Sequence, residues 1–116
     1  MEIPPNYYSF WSAVVSSDRT CRIVVPKDSD LFLTNAAISP DEMHARGRVV
    51  LHVSINKRQP VVAVAFTIGL YESTNLDLVF SGGDTIEFTL SGADIQVHIS
   101  GYTTDIRNLE IINDHK

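Results

Sequence analysis

The sequence contains a single cysteine, Cys21, among its 116 residues, so no internal disulfide can form and a disulfide-stapled secreted domain is excluded. No apolar run approaches the ~20 residues needed to span a bilayer, and residues 1–5 lack the basic start and apolar stretch of a signal peptide. Asn-x-Ser/Thr glycosylation sites are also missing. These absences predict a domain of a reducing compartment, with no membrane partner.

Basic residues are scarce, because nine lysines and arginines stand against fourteen acidic residues and the net charge is −5. This balance disfavours direct nucleic-acid binding and is compatible with a basic protein partner. The charge is uneven, since the segment from His44 to Arg58 holds four cations and no acid. Two interpretations follow: two solvated loops, or a basic rim that meets an acidic rim on a neighbouring copy of the chain.

Helical periodicity is missing as well, and apolar residues instead alternate with polar ones, as Ile95, Val97 and Ile99 do. Turn residues separate these runs. The pattern predicts an all-β sandwich or barrel with eight strands, at residues 9–16, 19–25, 31–38, 47–56, 61–67, 76–80, 84–90 and 95–101. Residues 103–116 are expected to be a C-terminal tail or the start of a linker, with a short terminal strand as one alternative.

One predicted strand, at residues 61–67, is apolar on both of its faces. Such a strand is typical of a sandwich core or of a surface covered by a second subunit. Alternation places Val62, Val64 and Phe66 on one face, and we expect these residues to form an oligomer interface. The pattern does not specify which face of the strand points outward.

Signals of catalysis or of a bound cofactor are missing. The four histidines lack the spacing of a metal site. Cys21 alternates with Ile23 and Val25, which predicts a core position and not a nucleophile. The glycines of SGGD at 81–84 predict a hairpin turn, since the Gly-Lys-Ser/Thr ending of a phosphate-binding loop is absent. We therefore expect a non-catalytic domain without metal or cofactor.

Several short motifs follow one another in a characteristic order. FWSAV at 10–14 precedes VP at 25–26, which is followed by acidic residues and by LFL at 31–33. LDLVFSGGD at 76–84 and VHISGY at 97–102 complete the series. This ordered set resembles the core domain of the nucleoplasmin family from about Phe10 to Tyr102. The last two motifs are most similar to the nucleoplasmin-like N-terminal domains of nuclear FKBP-type prolyl isomerases.

The resemblance implies an eight-stranded jelly-roll β-sandwich that assembles into a ring-shaped homopentamer, with two rings stacked as a decamer in some relatives. It also implies a histone chaperone of the nucleus, with core histones as partners. Residues 1–8 would then be an N-terminal extension and residues 9–102 the nucleoplasmin-like core. A ring would explain why strand 61–67 is apolar on both faces, because one face would fill the protomer's core and the other would fill a neighbour's groove.

Acidic residues attract basic partners such as histones by long-range steering and charge pairing. The candidate histone-binding residues in the resemblance are the loop acids Asp28, Asp30, Asp41 and Glu42. A long acidic tract is absent, and residues 45–48 read Ala-Arg-Gly-Arg where the family often carries acids. Two alternatives therefore stay open: a purely structural module that multimerises a larger nuclear protein, such as an FKBP-type prolyl isomerase, and a jelly roll that binds a small ligand or carbohydrate.

Overall fold

The computed structural model describes residues 9–38, 47–104 and 109–115. Period-two alternation of apolar residues produces strands throughout this part of the chain, which contains no helix. The strands are β1 (Ser9–Val15), β2 (Arg19–Val24), β3 (Asp30–Ile38), β4 (Arg48–Ile55), β5 (Val61–Thr67), β6 (Ser73–Ser81), β7 (Thr85–Gly92), β8 (Val97–Thr103) and β9 (Glu110–His115). The eight predicted strands are thus confirmed, and β9 is additional.

The strands form two antiparallel sheets, ordered β1-β8-β3-β6 and β5-β4-β7-β2-β9. The first four strands pair with the last four of the eight in a nested way, β1 with β8, β2 with β7, β3 with β6 and β4 with β5. This nesting is the signature of a jelly roll, in which a long antiparallel hairpin is folded over into two sheets. The fold class predicted above is therefore confirmed.

The core lies between the two sheets and contains one side chain from every second position of the strands. Phe66, Phe88 and Leu33 are fully buried there. Phe80 of the four-stranded sheet meets Phe88 of the five-stranded sheet edge-on, with ring centroids 6.3 Å apart. This aromatic contact joins the layers, and burying such side chains contributes roughly 1.5–3 kcal/mol each.

A β-bulge in β3 changes which residues face the core. Thr34 is the extra residue relative to β8, because Leu33 lies opposite Gly101 and Asn35 opposite the next residue, Ser100. Relative to β6 the register shifts the other way, and the extra residue lies in β6. Leu33 is buried before the bulge and Ala36 after it, three positions apart and not two. A bulge inserts one residue and so reverses the phase of alternation beyond it.

Next to this bulge, strands β1, β8 and β3 come into close contact at a glycine. Trp11 of β1 lies opposite Gly101 of β8, and its indole N–H donates a 3.0 Å hydrogen bond to the carbonyl oxygen of Phe32 on β3. A Cβ on Gly101 would come 1.8 Å from that same oxygen. Only glycine therefore allows the three strands to approach this closely.

β9 covers the free edge of the five-stranded sheet by pairing antiparallel with β2. Arg22 and Asp114 join the two strands through a 2.9 Å ion pair, and Ile111 packs against the core. β2 thereby becomes an inner strand of the sheet, and β9 takes the edge position. Residues 110–115 therefore form a short terminal strand, which was one alternative for the C-terminal segment.

Gly101→Ala should lower the free energy of unfolding by about 3 kcal/mol or more, because the new methyl group overlaps a backbone oxygen held on both sides by strand pairing. Urea denaturation followed by circular dichroism measures this loss. Gly69→Ala is the control, since its Cβ would meet nothing within 4 Å and only its φ of +86° is unfavourable, at about 1–2 kcal/mol. Equal losses of unfolding free energy in the two variants would contradict the close contact between Gly101 and the carbonyl oxygen of Phe32.

Candidate interaction surfaces

The outer face of the four-stranded sheet carries a line of apolar side chains, which we call the aromatic row. It consists of Phe10, Tyr102, Phe32 and Val79, one residue from each strand. Phe10 lies opposite Tyr102, Tyr102 opposite Phe32, and Phe32 opposite Val79. Phe10 is 76% exposed and Val79 53% exposed. Large apolar side chains that adjoin one another on a surface mark interaction sites more often than isolated ones do.

The centre of the aromatic row is held in a fixed geometry. The rings of Phe32 and Tyr102 are stacked with centroids 4.5 Å apart. The backbone of Phe32 is in turn anchored by the indole of Trp11. An open groove of about 530 Å³ runs beside the row and is lined by Phe10, Thr34, Gly101 and Tyr102. The row is therefore a continuous surface with an adjoining depression that is open to solvent.

A second apolar surface lies on β5, at the edge of the other sheet. Val61 and Val62 are 61% and 59% exposed, and Ala65 is exposed as well. We call these three residues the β5 patch. Val62 and Ala65 lie opposite His52 and Val50, whose side chains point away from the core. Val61 lies opposite the buried Val53 and so points to the inner side of the sheet, where it is exposed because β5 is an edge strand. Val62 and Ala65 point outward, away from the side of the protomer that carries the aromatic row.

The prediction that Val62, Val64 and Phe66 share one face is wrong for Val62. The pairing of β4 with β5 shifts between Leu51 and His52, which makes Ala63 an extra residue. Phe66 is fully buried and Val64 half-buried, whereas Val62 faces solvent. Phe66 thus belongs to the protomer's own core, and the interface role of Val62 and Val64 stays a prediction.

Asp28 and Asp30 lie at one end of the sandwich, around the turn between β2 and β3. Both residues are exposed, and Asp28 has a φ of 69°. A Cβ on Gly82 would come 2.8 Å from the amide nitrogen of Asp28, so the turn between β6 and β7 packs directly against this loop. The hydroxyl of Thr103 also donates a 2.9 Å hydrogen bond to the carbonyl oxygen of Asp30. Asp41 and Glu42 lie outside the described residues.

Cations interrupt the acids at this end of the molecule. Lys27 adjoins Asp28 in sequence, and Lys57 and Arg58 occupy the turn between β4 and β5. This turn is tied to the β6–β7 turn, because the amide of Asn56 donates a 2.9 Å hydrogen bond to a carboxylate oxygen of Asp84. The end of the sandwich therefore carries both signs of charge and not a continuous acidic surface.

Among the described residues, the titratable side chains of Cys21 and His52 occupy different environments. Cys21 is fully buried in the core, as predicted, and burial raises the pKa of its thiol to about 11. His52 faces outward and lies 3.0 Å from the hydroxyl of Ser91. Within the described ranges, no group of three or more histidine, cysteine, aspartate or glutamate side chains could hold a metal ion. The same ranges contain no helix that could cross a membrane.

Two solved structures share this fold. The nucleoplasmin-like N-terminal domain of Drosophila FKBP39 aligns with a TM-score of 0.68 at 24% identity, covering 91% of this chain and 98% of that one. The core of Drosophila NLP, whose crystal structure provides insight into pentamer formation and histone binding, aligns with a TM-score of 0.70 at 18% identity, covering 82% and 97%. A search of curated protein sequences found no match.

Fold and surface together define an all-β jelly-roll protein with apolar side chains exposed on both sheets. The family model of the nucleoplasmin-like domain matches residues 10–104, which is most of the chain. The chain therefore belongs to the nucleoplasmin-like domain family, as the sequence motifs indicated. This domain is a non-catalytic fold, and in FKBP39 it is the N-terminal domain. β9 lies beyond the matched residues.

Because the thiol of Cys21 is buried, we expect the unfolding free energy to fall at alkaline pH. Because the folded pKa of Cys21 is about 11 and the ordinary value is 9.0, the unfolded chain loses the thiol proton first. The resulting stabilisation is complete below pH 9 and is lost as the pH rises towards 11. Between pH 8 and pH 10 the wild type should lose about 1 kcal/mol more unfolding free energy than Cys21→Ala, as measured by urea denaturation. Equal losses would contradict the buried thiol.

Proposed function

We propose that this domain forms a homopentameric ring and acts as a histone chaperone in the nucleus. The observation that carries the proposal is the match to the nucleoplasmin-like domain over residues 10–104. A solved structure of the same fold, the core of Drosophila NLP, bears on pentamer formation and histone binding in that protein. The proposal transfers both properties to this chain.

Self-association is supported by the two exposed apolar surfaces. The aromatic row and the β5 patch contain no charged side chain, and Phe10, Val61 and Val62 are each more than half exposed. Removing apolar surface from water contributes about 25 cal/mol per Å². A ring covers such surfaces in every protomer at once, because cyclic symmetry repeats the same contact around a closed circle.

Histone binding is supported by the effect of the ring on charge. Cyclic symmetry places the same turn of every protomer on the same side of the ring. Asp28 and Asp30 would then recur five times on that side, and a pentamer carries five times the protomer's net charge of −5. Repeated weak attraction to a basic partner adds up through avidity.

The alternative is a purely structural module that multimerises a larger nuclear protein. The mixed charge around Asp28 and Asp30 favours this alternative, since Lys27, Lys57 and Arg58 would repel a basic partner. The module would form a stable ring and would show negligible affinity for histones. The two functions therefore differ in histone binding and not in assembly.

Titration of the ring with purified core histones tests the proposal. Replacing Asp28 and Asp30 together by asparagine should weaken binding about three- to tenfold at physiological salt, because two exposed carboxylates are lost from every protomer. Asparagine suits the positive φ of Asp28, so the turn should keep its shape. Asp94→Asn is the matched control, since Asp94 is exposed at the opposite end of the sandwich.

Added salt should weaken wild-type binding steeply, because the attraction is electrostatic. A ring that fails to bind histones at physiological salt would rule out the chaperone and leave the structural module. Equal effects of the Asp28/Asp30 variant and of Asp94→Asn would show that this turn is not the binding site.

A further inference from the structure

We infer that the aromatic row of one protomer packs against the β5 patch of the next protomer in the ring. This inference rests on the proposed self-association and names the two halves of the contact. The row comprises Phe10, Tyr102, Phe32 and Val79, and the patch comprises Val61, Val62 and Ala65. Both surfaces belong to the same chain, so each protomer would receive one neighbour and dock onto the other.

The position of the two surfaces on different sheets supports this pairing. A ring of more than two identical chains needs a head-to-tail contact, in which two different surfaces meet. A single self-complementary surface would produce only a dimer. The aromatic row lies on the outer face of the four-stranded sheet, and the β5 patch lies on an edge strand of the other sheet. These two surfaces supply the two unlike halves that a ring needs.

The charges bordering the surfaces are complementary. Asp77 precedes Val79 by two residues, so this acid lies on the same face as the row and is exposed. Lys57 and Arg58 lie in the turn that leads into the strand of the β5 patch, and the side chain of Lys57 is 77% exposed. An apolar centre with an acidic border would thus meet an apolar centre with a basic border.

The heights of the two surfaces along the strands also fit a closed ring. Phe32 lies near the start of β3, two residues from the turn that contains Asp28. Val61 and Val62 lie at the start of β5, directly after the turn at residues 56–60. These two turns are at the same end of the sandwich, because Asn56 is hydrogen-bonded to the β6–β7 turn that packs against the loop of Asp28. A rotation without a shift along the axis requires matching heights, whereas unequal heights would build a filament.

Mixing two variants, each defective in one surface, tests the pairing. The row variant carries Phe10→Asp with Val79→Asp, and the patch variant carries Val62→Asp. All three positions are more than half exposed, so the variants should fold with wild-type circular dichroism. Gln96→Asp is the matched control, since it adds a charge at an exposed turn away from both surfaces and should leave assembly unchanged.

Each variant alone should be monomeric in sedimentation and light scattering at hundreds of micromolar. An equimolar mixture should give a 1:1 heterodimer, because the intact patch of the row variant can still dock onto the intact row of the patch variant. A mixture that stays monomeric, or a patch variant that still assembles like the wild type, would overturn the pairing. A wild type that is itself monomeric would overturn the proposed ring, and this separates the two failures.

Reversing the charges that border the aromatic row and the β5 patch gives an independent test of the pairing. Arg58→Glu should promote dissociation of the ring on dilution at low salt, and combining it with Asp77→Lys in one chain should restore assembly. Combining Arg58→Glu with Asp94→Lys restores the same net charge at the opposite end of the sandwich and should not rescue. Rescue by both combinations would attribute the effect to net charge alone and would contradict the complementary borders.

Discussion

A two-layer sandwich buries only the inner faces of its sheets, and this chain places aromatic and β-branched side chains on the outer faces as well. The core between the sheets is complete, with Phe66 and Phe88 fully enclosed. Phe10, Val62 and Val79 nevertheless remain largely exposed. Covering them requires a third layer, which the chain does not contain among the described residues. The proposed ring supplies this layer from neighbouring copies.

Two β-bulges determine which side chains are left outside. The bulge at Thr34 lets β3 continue with a buried Ala36 and accompanies the close approach of Phe32 to Gly101. The bulge at Ala63 sends Phe66 inward and Val62 outward on the same strand. Since one inserted residue reverses alternation, a bulge can convert part of a core strand into a docking surface without breaking the sheet.

Much of the fold could be predicted from the sequence, because period-two patterning such as that of Val97 and Ile99 is a direct consequence of strand geometry. The burial of Cys21 followed from the same alternation. Patterning does not reveal bulges, however, so alternation alone places Val62 on the same face as Phe66. The sequence does not single out β9 as a strand, because Ile111 and Ile112 are consecutive and show no alternation. Phe10 and Val79 were missed because their meeting in one row depends on the pairing of four strands distant in sequence.

In the proposed ring, the apolar side chains outside the core are covered by copies of the same chain. Light scattering of the wild-type protein over a range of concentrations tests this arrangement most directly. We expect the mass of five protomers, or of ten if two rings stack, maintained on dilution. The mass of a single protomer at all concentrations would contradict it, because Phe10, Val62 and Val79 would then stay exposed to water.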